Sequence, residues 1–327
     1  QTERHWSTLR DRALPKTAGT MVTHLMKAQS NVLSRREFGQ LRPVDFSADA
    51  HVIGQTRHPL DWYSSLWAYL SDAGAADVAP YHIFPQGAPP YIAETLSREV
   101  PRGSTADDVL RFRAFVRLYT TPQLGAFSLH FWVNYVDLGN SFPCQGPSPE
   151  DPECGMRLKS TPADLQGRLK DPKLLARAAE DVRAFVQREG HPVDDDTGAE
   201  SDTESEAHRR IACWVRQEDL LNSLHGCLGK CERALDAKLI EWECLDTSQA
   251  SPALVINPSS PRAANAVLYD EATTQLVSER DGELLAFFGY NATGTAEADR
   301  WRAHHRPGRW PNVNCINSTH QMRVAYW

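Results

Sequence analysis

The sequence predicts one α/β domain of three layers, with helices on a central parallel sheet of about four to six strands. Three stretches carry that prediction, each a strand or turn that leads into helix-favouring sequence. Leu14 to Val22 is a turn containing Lys16, Thr17, Gly19 and Thr20, and from Thr20 to Ala28 the residues Met21, Leu25 and Ala28 share one helical face. The apolar run Val52 to Thr56 is followed by the helical stretch Asp61 to Leu70. Ile211 to Val215 reads as a buried strand, and a helix is predicted to start at Glu218-Asp219-Leu220-Leu221.

The remaining elements follow in order. A first strand is expected within residues 1–13, although His5 to Ala13 is too polar for an ordinary buried parallel strand. Asn31-Val32-Leu33 suggests a short second strand. Ala106 to Tyr119 is a predicted helix with Ser104 or Thr105 as N-cap and Asp107 and Asp108 in its first turn. Pro172 to Glu189 is another, with Leu174, Leu175, Ala178, Val182, Phe185 and Val186 at helical spacing. Residues 74–104 are rich in Pro, Gly and Ala and read as a long surface excursion of the kind that shapes an acceptor pocket. Phe142 to Met156 reads as a loop. Asp194 to Glu206 carries seven acidic residues and no basic one, the composition of a disordered, solvated insert.

Composition excludes several classes of function. A hydrophobic content of 41% is ordinary for a chain that buries a core, and no run of about 18 apolar residues predicts a membrane span. The net charge of −7 is concentrated in the acidic insert, which leaves the rest near neutral and argues against a general nucleic-acid binder. Gln1 opens no signal peptide, and the abrupt start is compatible with an upstream anchor or targeting segment. Seven cysteines suggest two short pairs, Cys144 with Cys154 and Cys227 with Cys231. Zinc is the competing reading, but neither pair has a second pair at finger spacing, so no metal is expected. Disulfides, with the sequons Asn291-Ala292-Thr293 and Asn317-Ser318-Thr319, favour the secretory pathway over the cytoplasm.

The chemistry of Leu14 to Val22 is that of an anion cradle. A turn feeding a helix N-terminus presents several backbone N–H groups at one point, the helix dipole favours negative charge there, and Lys16 adds a full positive charge. Phosphate or sulfate is the natural guest. A Walker loop needs glycines ahead of the lysine, whereas Lys16 precedes the only glycine here.

The order Pro15-Lys16-Thr17-Ala18-Gly19-Thr20 resembles the 5′-phosphosulfate loop of sulfotransferases that use PAPS (3′-phosphoadenosine 5′-phosphosulfate). Val52 to Ser65 is similar to that family's 3′-phosphate segment, a strand ending in Arg-x-Pro with a serine eight residues after the arginine; Arg57 and Ser65 fit. Near the C-terminus, Leu268-Tyr269-Asp270, Leu276 to Arg280 and Phe287-Phe288-Gly289-Tyr290 are similar to the closing helix of the carbohydrate-type members. The resemblance covers roughly residues 14–290 of a single domain spanning 1–327, with 291–327 as an extension. It implies a P-loop-like phosphosulfate-binding turn, PAPS as donor, and adenosine 3′,5′-bisphosphate as product.

The resemblance also implies roles. Lys16 with Thr17, Ala18, Gly19, Thr20 and Met21 would hold the phosphosulfate, and Arg57 and Ser65 the 3′-phosphate; the bland reading of Arg57 is a surface ion pair. The general base in related enzymes is a Glu or His after the second strand, and Glu37, 21 residues beyond Lys16 with Arg35 and Arg36 beside it, fits best. His24 and His51 are the alternatives, and His58 is read as serving the cofactor or the fold. Trp62, Tyr63, Trp67 and Tyr69 are read as packing, with one stacking on adenine as the alternative. Arg300, Arg302, His304, His305, Arg306 and Arg309 form either a basic wall for an anionic glycan or a solvated tail. The acceptor would be a hydroxyl-bearing compound, a carbohydrate or a small-molecule alcohol. A kinase-like P-loop enzyme and a non-catalytic glycan-binding protein are the competing functions.

Overall fold

The computed structural model describes residues 8–13, 34–37, 50–72, 105–137, 171–189, 211, 213–235 and 265–291. The predicted cradle at 14–22, the stretches 74–104, 142–156 and 194–206, the pair Cys144–Cys154 and the basic residues from 300 onward lie outside them.

Among the described residues four parallel strands form the sheet: β1 (Thr8–Ala13), β2 (Ser34–Glu37), β3 (Ala50–Thr56) and β4 (Cys213–Arg216), in the order β2-β1-β3-β4. The fold is therefore α/β. β1 pairs with β2 in the register Arg10 to Ser34 through Ala13 to Glu37, and with β3 from Thr8–Ala50 to Arg12–Gly54. β3 pairs with β4 from Ile53–Cys213 to Thr56–Arg216. The second strand is seen at Ser34–Glu37, and the predicted Asn31–Leu33 lies outside the described residues. An edge strand pairs on one side only and tolerates charge, so apolar patterning is a poor guide to it. The strand predicted at Ile211–Val215 is found at Cys213–Arg216.

The helices are α1 (Pro59–Asp72), α2 (Ala106–Tyr119), α3 (Ala126–Phe131), α4 (Pro172–Glu189), α5 (Leu220–Leu235), α6 (Asn265–Leu268), α7 (Glu271–Arg280) and α8 (Gly282–Phe287). α2 and α4 occupy their predicted spans. The N-cap of α2 is Thr105, whose hydroxyl accepts from Asp108 N–H at 3.1 Å. α7 opens with a reciprocal capping box between Asp270 and Thr273. Hydrogen bonds from Thr273, then the charges of Arg113 and Arg117, hold the Asp270 carboxyl below the usual carboxylate range.

α1, α2, α3, α4, α7 and α8 bury one connected core dominated by aromatic rings. It includes Trp62, Trp67, Phe112, Phe127, Phe131, Tyr135 and Phe288. Fully burying one such side chain contributes about 1.5–3 kcal/mol. Trp214 of β4 stacks on Phe131 at 5.6 Å between centroids and meets Phe288 edge-on at 4.9 Å, which ties the sheet to this core. Opposite it, Gly54 has no room for a side chain, because a Cβ there would overlap the Trp214 indole. After α3 the chain makes a π-helical turn, Trp132–Val136, carrying Tyr135. The Tyr135 hydroxyl accepts from Gln55 N–H at 3.1 Å and donates to Gln55 C=O at 3.3 Å, fastening this turn to β3.

A buried carboxylate ties three of these helices together. Asp281, fully buried between α7 and α8, accepts from Ser128 N–H at 2.8 Å and from the Tyr63 hydroxyl at 3.0 Å. Tyr63 O in turn accepts from Ala126 N–H at 2.6 Å. The first-turn N–H groups of α3 are thus capped by residues from α1 and from the α7–α8 junction. This is the work a cap side chain does elsewhere, but the N-cap of α3 is Gly125. Glycine is required there, since a Cβ would overlap the Asp281 carboxylate. Burial pushes the Asp281 carboxyl up to about 6, against the hydrogen bonds from Ser128 and Tyr63. Burial and the Asp281 charge hold the Tyr63 hydroxyl protonated well above the usual tyrosine range.

The folded chain consequently binds the Asp281 proton more tightly than the unfolded chain, so its contribution to stability is greatest at low pH and is lost as pH rises through about 4 to 6. The loss is on the order of 3 kcal/mol. Asp281→Asn keeps the shape and removes the titration. In urea titrations at about pH 4 and pH 7.5, the difference in unfolding free energy is expected to shrink in the variant by that amount; an unchanged difference would show that Asp281 does not titrate in this range.

Candidate functional site

The carboxyl edge of the sheet gathers the chain segments that carry the predicted chemistry. β1 and β3 are neighbours, and the chain leaves β1 toward β2 on one side, while β3 lies on the other. This is the strand-order reversal at which open α/β sheets form a crevice beyond the carboxyl ends of their strands. β1 ends at Ala13, where residues 14–22 begin, and Glu37 ends β2 in register with Ala13. Arg57 directly follows β3, and Arg216 ends β4 in register with Thr56.

His58 explains how Arg57 is held at that edge. Its carbonyl accepts from Trp62 N–H at 2.9 Å and its ring Nδ1 accepts from Leu60 N–H at 3.2 Å, so His58 is the N-cap of α1. Pro59 at the first helical position has no N–H to satisfy. Since Nδ1 accepts, the neutral ring carries its proton on Nε2, which donates to the Asn291 carbonyl at 2.8 Å. Of the two roles open to His58, the structure assigns it the fold.

Glu218 closes this junction. Its Oε1 accepts from His58 N–H at 2.6 Å and its Oε2 accepts from the Tyr290 hydroxyl at 3.0 Å. A single carboxylate thereby joins the β3–α1 turn, the β4–α5 turn and the segment after α8. Arg216 lies over the Tyr290 ring at 5.4 Å, and the His58 and Tyr290 rings are 5.0 Å apart. Burial, then the Glu218 charge, hold the Tyr290 hydroxyl protonated well above the usual range, so it remains a donor.

The approach of Tyr290 depends on how α8 ends. Gly289 has φ 63°, its N–H donates to Ala286 C=O at 3.0 Å, and Tyr290 N–H donates to Leu285 C=O at 2.8 Å. That pair of bonds is a Schellman motif, which turns the chain sharply back toward the sheet edge. A left-handed residue there costs about 1–2 kcal/mol with any ordinary side chain, so glycine fits the position.

The predicted site residues are placed as follows. Arg57 is half-buried in the turn, while Ser65 is 3% exposed and lies six residues into α1, about 9 Å along its axis from Pro59. Glu37 stands at the carboxyl end of β2. His51 is near the amino end of β3, in register with Leu9 and about 16 Å back from Thr56. Lys16, Thr17, Ala18, Gly19, Thr20, Met21 and His24 lie outside the described residues. Trp62, Tyr63 and Trp67 are fully buried in the aromatic core, in keeping with packing; the side chain of Tyr69 lies outside the described residues.

Glu218, Tyr290 and the Asn291 carbonyl were not singled out by sequence as parts of one site. The available signals were a Glu directly after a strand and a tyrosine after a helix-ending glycine. The cysteine prediction is also corrected: Cys227 is bonded to Cys213 of β4, and Cys231 keeps its thiol. Residues one turn apart on a helix have Cβ atoms about 5–6 Å apart, wider than the roughly 3.5–4.5 Å that a disulfide spans, so Cys227 bonds to a neighbouring element instead.

The Glu218–Tyr290 contact should be measurable as a coupling. Glu218→Ala leaves two donors without their acceptor and is expected to cost about 2–4 kcal/mol, and Tyr290→Phe about 1.5–3. A double-mutant cycle read by chemical denaturation should return a coupling of about 1 kcal/mol or more, whereas additive losses would mean that the two residues act separately. Among the described residues no helix is long and apolar enough to cross a membrane. Compared with protein-family models, curated proteins and solved structures, the chain finds no match in any of the three.

Proposed function

We propose that the chain is a PAPS-dependent sulfotransferase that moves the sulfuryl group to a hydroxyl of an acceptor, a carbohydrate before a simple alcohol. The observation that carries this reading is the adjacency of β1 and β3. The Lys16 turn follows one and Arg57 follows the other, so the two phosphate-binding sequences start from the same edge of a parallel sheet. The finer architecture, three layers with a P-loop-like turn, belongs to the same proposal.

Sulfuryl transfer needs a donor held in line with its acceptor and charge stabilised as the bridging bond breaks. Lys16 and the backbone of Thr17 to Thr20 hold the phosphosulfate, and Lys16 neutralises the charge that builds on the bridging oxygen. Arg57 binds the 3′-phosphate through two guanidinium N–H groups, and Ser65 adds a hydroxyl. Glu37, level with the exit of β1, takes the proton of the attacking hydroxyl. The reaction needs no metal.

Thermal shift tests the donor site. Adenosine 3′,5′-bisphosphate at millimolar concentration should raise the melting temperature, and Arg57→Ala should weaken its binding by about 1.5–3 kcal/mol. An unchanged melting temperature would overturn the proposal.

Turnover with PAPS and a glycan panel, followed by release of the bisphosphate, separates the two reacting residues. Lys16→Ala should cut turnover heavily while the bisphosphate still binds. Glu37→Gln should lower turnover about 10²–10⁴-fold at nearly unchanged nucleotide affinity. Full activity in Glu37→Gln would assign the base to another residue, with His24 the first to test.

A further inference from the structure

The β4–α5 unit contains three sulfurs with an arrangement that the catalytic reading does not use. Alternation along β4 puts Cys213 and Val215 on its buried face. α5 follows after a 3₁₀ turn and lays Leu224, Cys227, Leu228 and Cys231 against that face, each no more than 3% exposed. Cys227 and Cys231 are four residues apart, so they sit one above the other on the same side of the helix. Cys213 is bonded to Cys227, and its Sγ lies 4.0 Å from the Sγ of Cys231.

We infer that these residues form a disulfide exchange unit with two isomers, Cys213–Cys227 and Cys213–Cys231. Cys231, deprotonated, attacks Cys213 Sγ; the new bond forms as the Cys213–Cys227 bond breaks, and Cys227 leaves as a thiolate that takes up a proton. One disulfide is broken and one is made, so the step requires no outside oxidant or reductant. The covalent tie moves four residues along α5, about 6 Å, and the thiol passes from Cys231 to Cys227. Ser223 limits what else moves. Its hydroxyl accepts from Arg216 N–H at 3.0 Å and lies 3.2 Å from Leu220 C=O, which holds the first turn of α5 on the end of β4. The exchange therefore acts on the second half of α5, and the element that carries Glu218 stays in place. The unit does not depend on the sulfotransferase reading.

Trypsin distinguishes the isomers, because Lys230 lies between Cys227 and Cys231. Cys213 falls in peptide 211–216, Cys227 in 217–230 and Cys231 in 231–233. The purified full-length chain is held at about pH 8 and about pH 6, trapped over time with N-ethylmaleimide in acid, digested and mapped by mass spectrometry without reduction. Both linkages, 211–216 with 217–230 and 211–216 with 231–233, are expected. They should reach a constant ratio sooner at the higher pH, where more thiolate is present. Finding the first linkage alone at all times at pH 8 overturns the proposal. In the folded Cys227→Ser variant treated with glutathione disulfide, the second linkage should form within the monomer; recovery of Cys213 and Cys231 as two separately modified cysteines would also overturn it.

Discussion

The first two turns of α1 are held by two carboxylates, and much of the described structure depends on that. Glu218 binds the peptide of its N-cap, His58, and Asp281 binds Tyr63 one and a half turns further on. The two acids come from elements more than 150 residues later in the chain. Each also binds a second group: Glu218 the Tyr290 hydroxyl, and Asp281 the first turn of α3. Hydrogen bonds to a charged group are the stronger kind, and leaving their donors unmet inside a protein is costly. A helix fixed in this way has little freedom of rotation, so the residue before it, Arg57, is fixed as well. The Asn265 amide donates to the Asp61 carboxylate at 2.8 Å and the Tyr269 hydroxyl to Leu60 C=O at 2.8 Å, which adds two ties from α6 and the segment after it.

The two carboxylates differ in consequence. Asp281 is fully buried, which pushes its carboxyl up to about 6 and gives the core a pH-dependent element. Glu218 stands at the sheet edge, where it accepts from the His58 N–H and the Tyr290 hydroxyl. Polar chemistry is thus collected at the carboxyl ends of the strands, while inside the core Tyr63 and Asp281 cap α3. A crevice at a strand-order reversal gains rigid walls from such an arrangement, since groups that bind an anion must be ordered before the anion arrives to bind it tightly.

The helices α2 and α4 were legible in full because each has an apolar stripe at helical spacing, a start signal in the first turn and a length typical of helices. β3 was legible as a short apolar run, to within two residues. The strands β1 and β2 were harder to read. Thr8–Ala13 and Ser34–Glu37 are mostly polar, and their strand state rests on ladder hydrogen bonds to neighbours, one of them 37 residues or more away. Cys213 with Cys227 shows the same limit, since a helix face chooses its partner by what is packed against it.

Sequence alone determined the α/β class, the boundaries of the strongly periodic helices and the residue types able to bind phosphate or sulfate, because each of these is written in local composition, spacing or turn chemistry. Only the tertiary structure decided that the end of β1 and Arg57 share one edge, that His58 caps α1, and that Glu218, Tyr290 and Asn291 close that edge. Those contacts join residues 160 to 233 positions apart for His58. No local pattern encodes them, since they arise from strand order and from the packing of a core that must form before its polar groups can find one another.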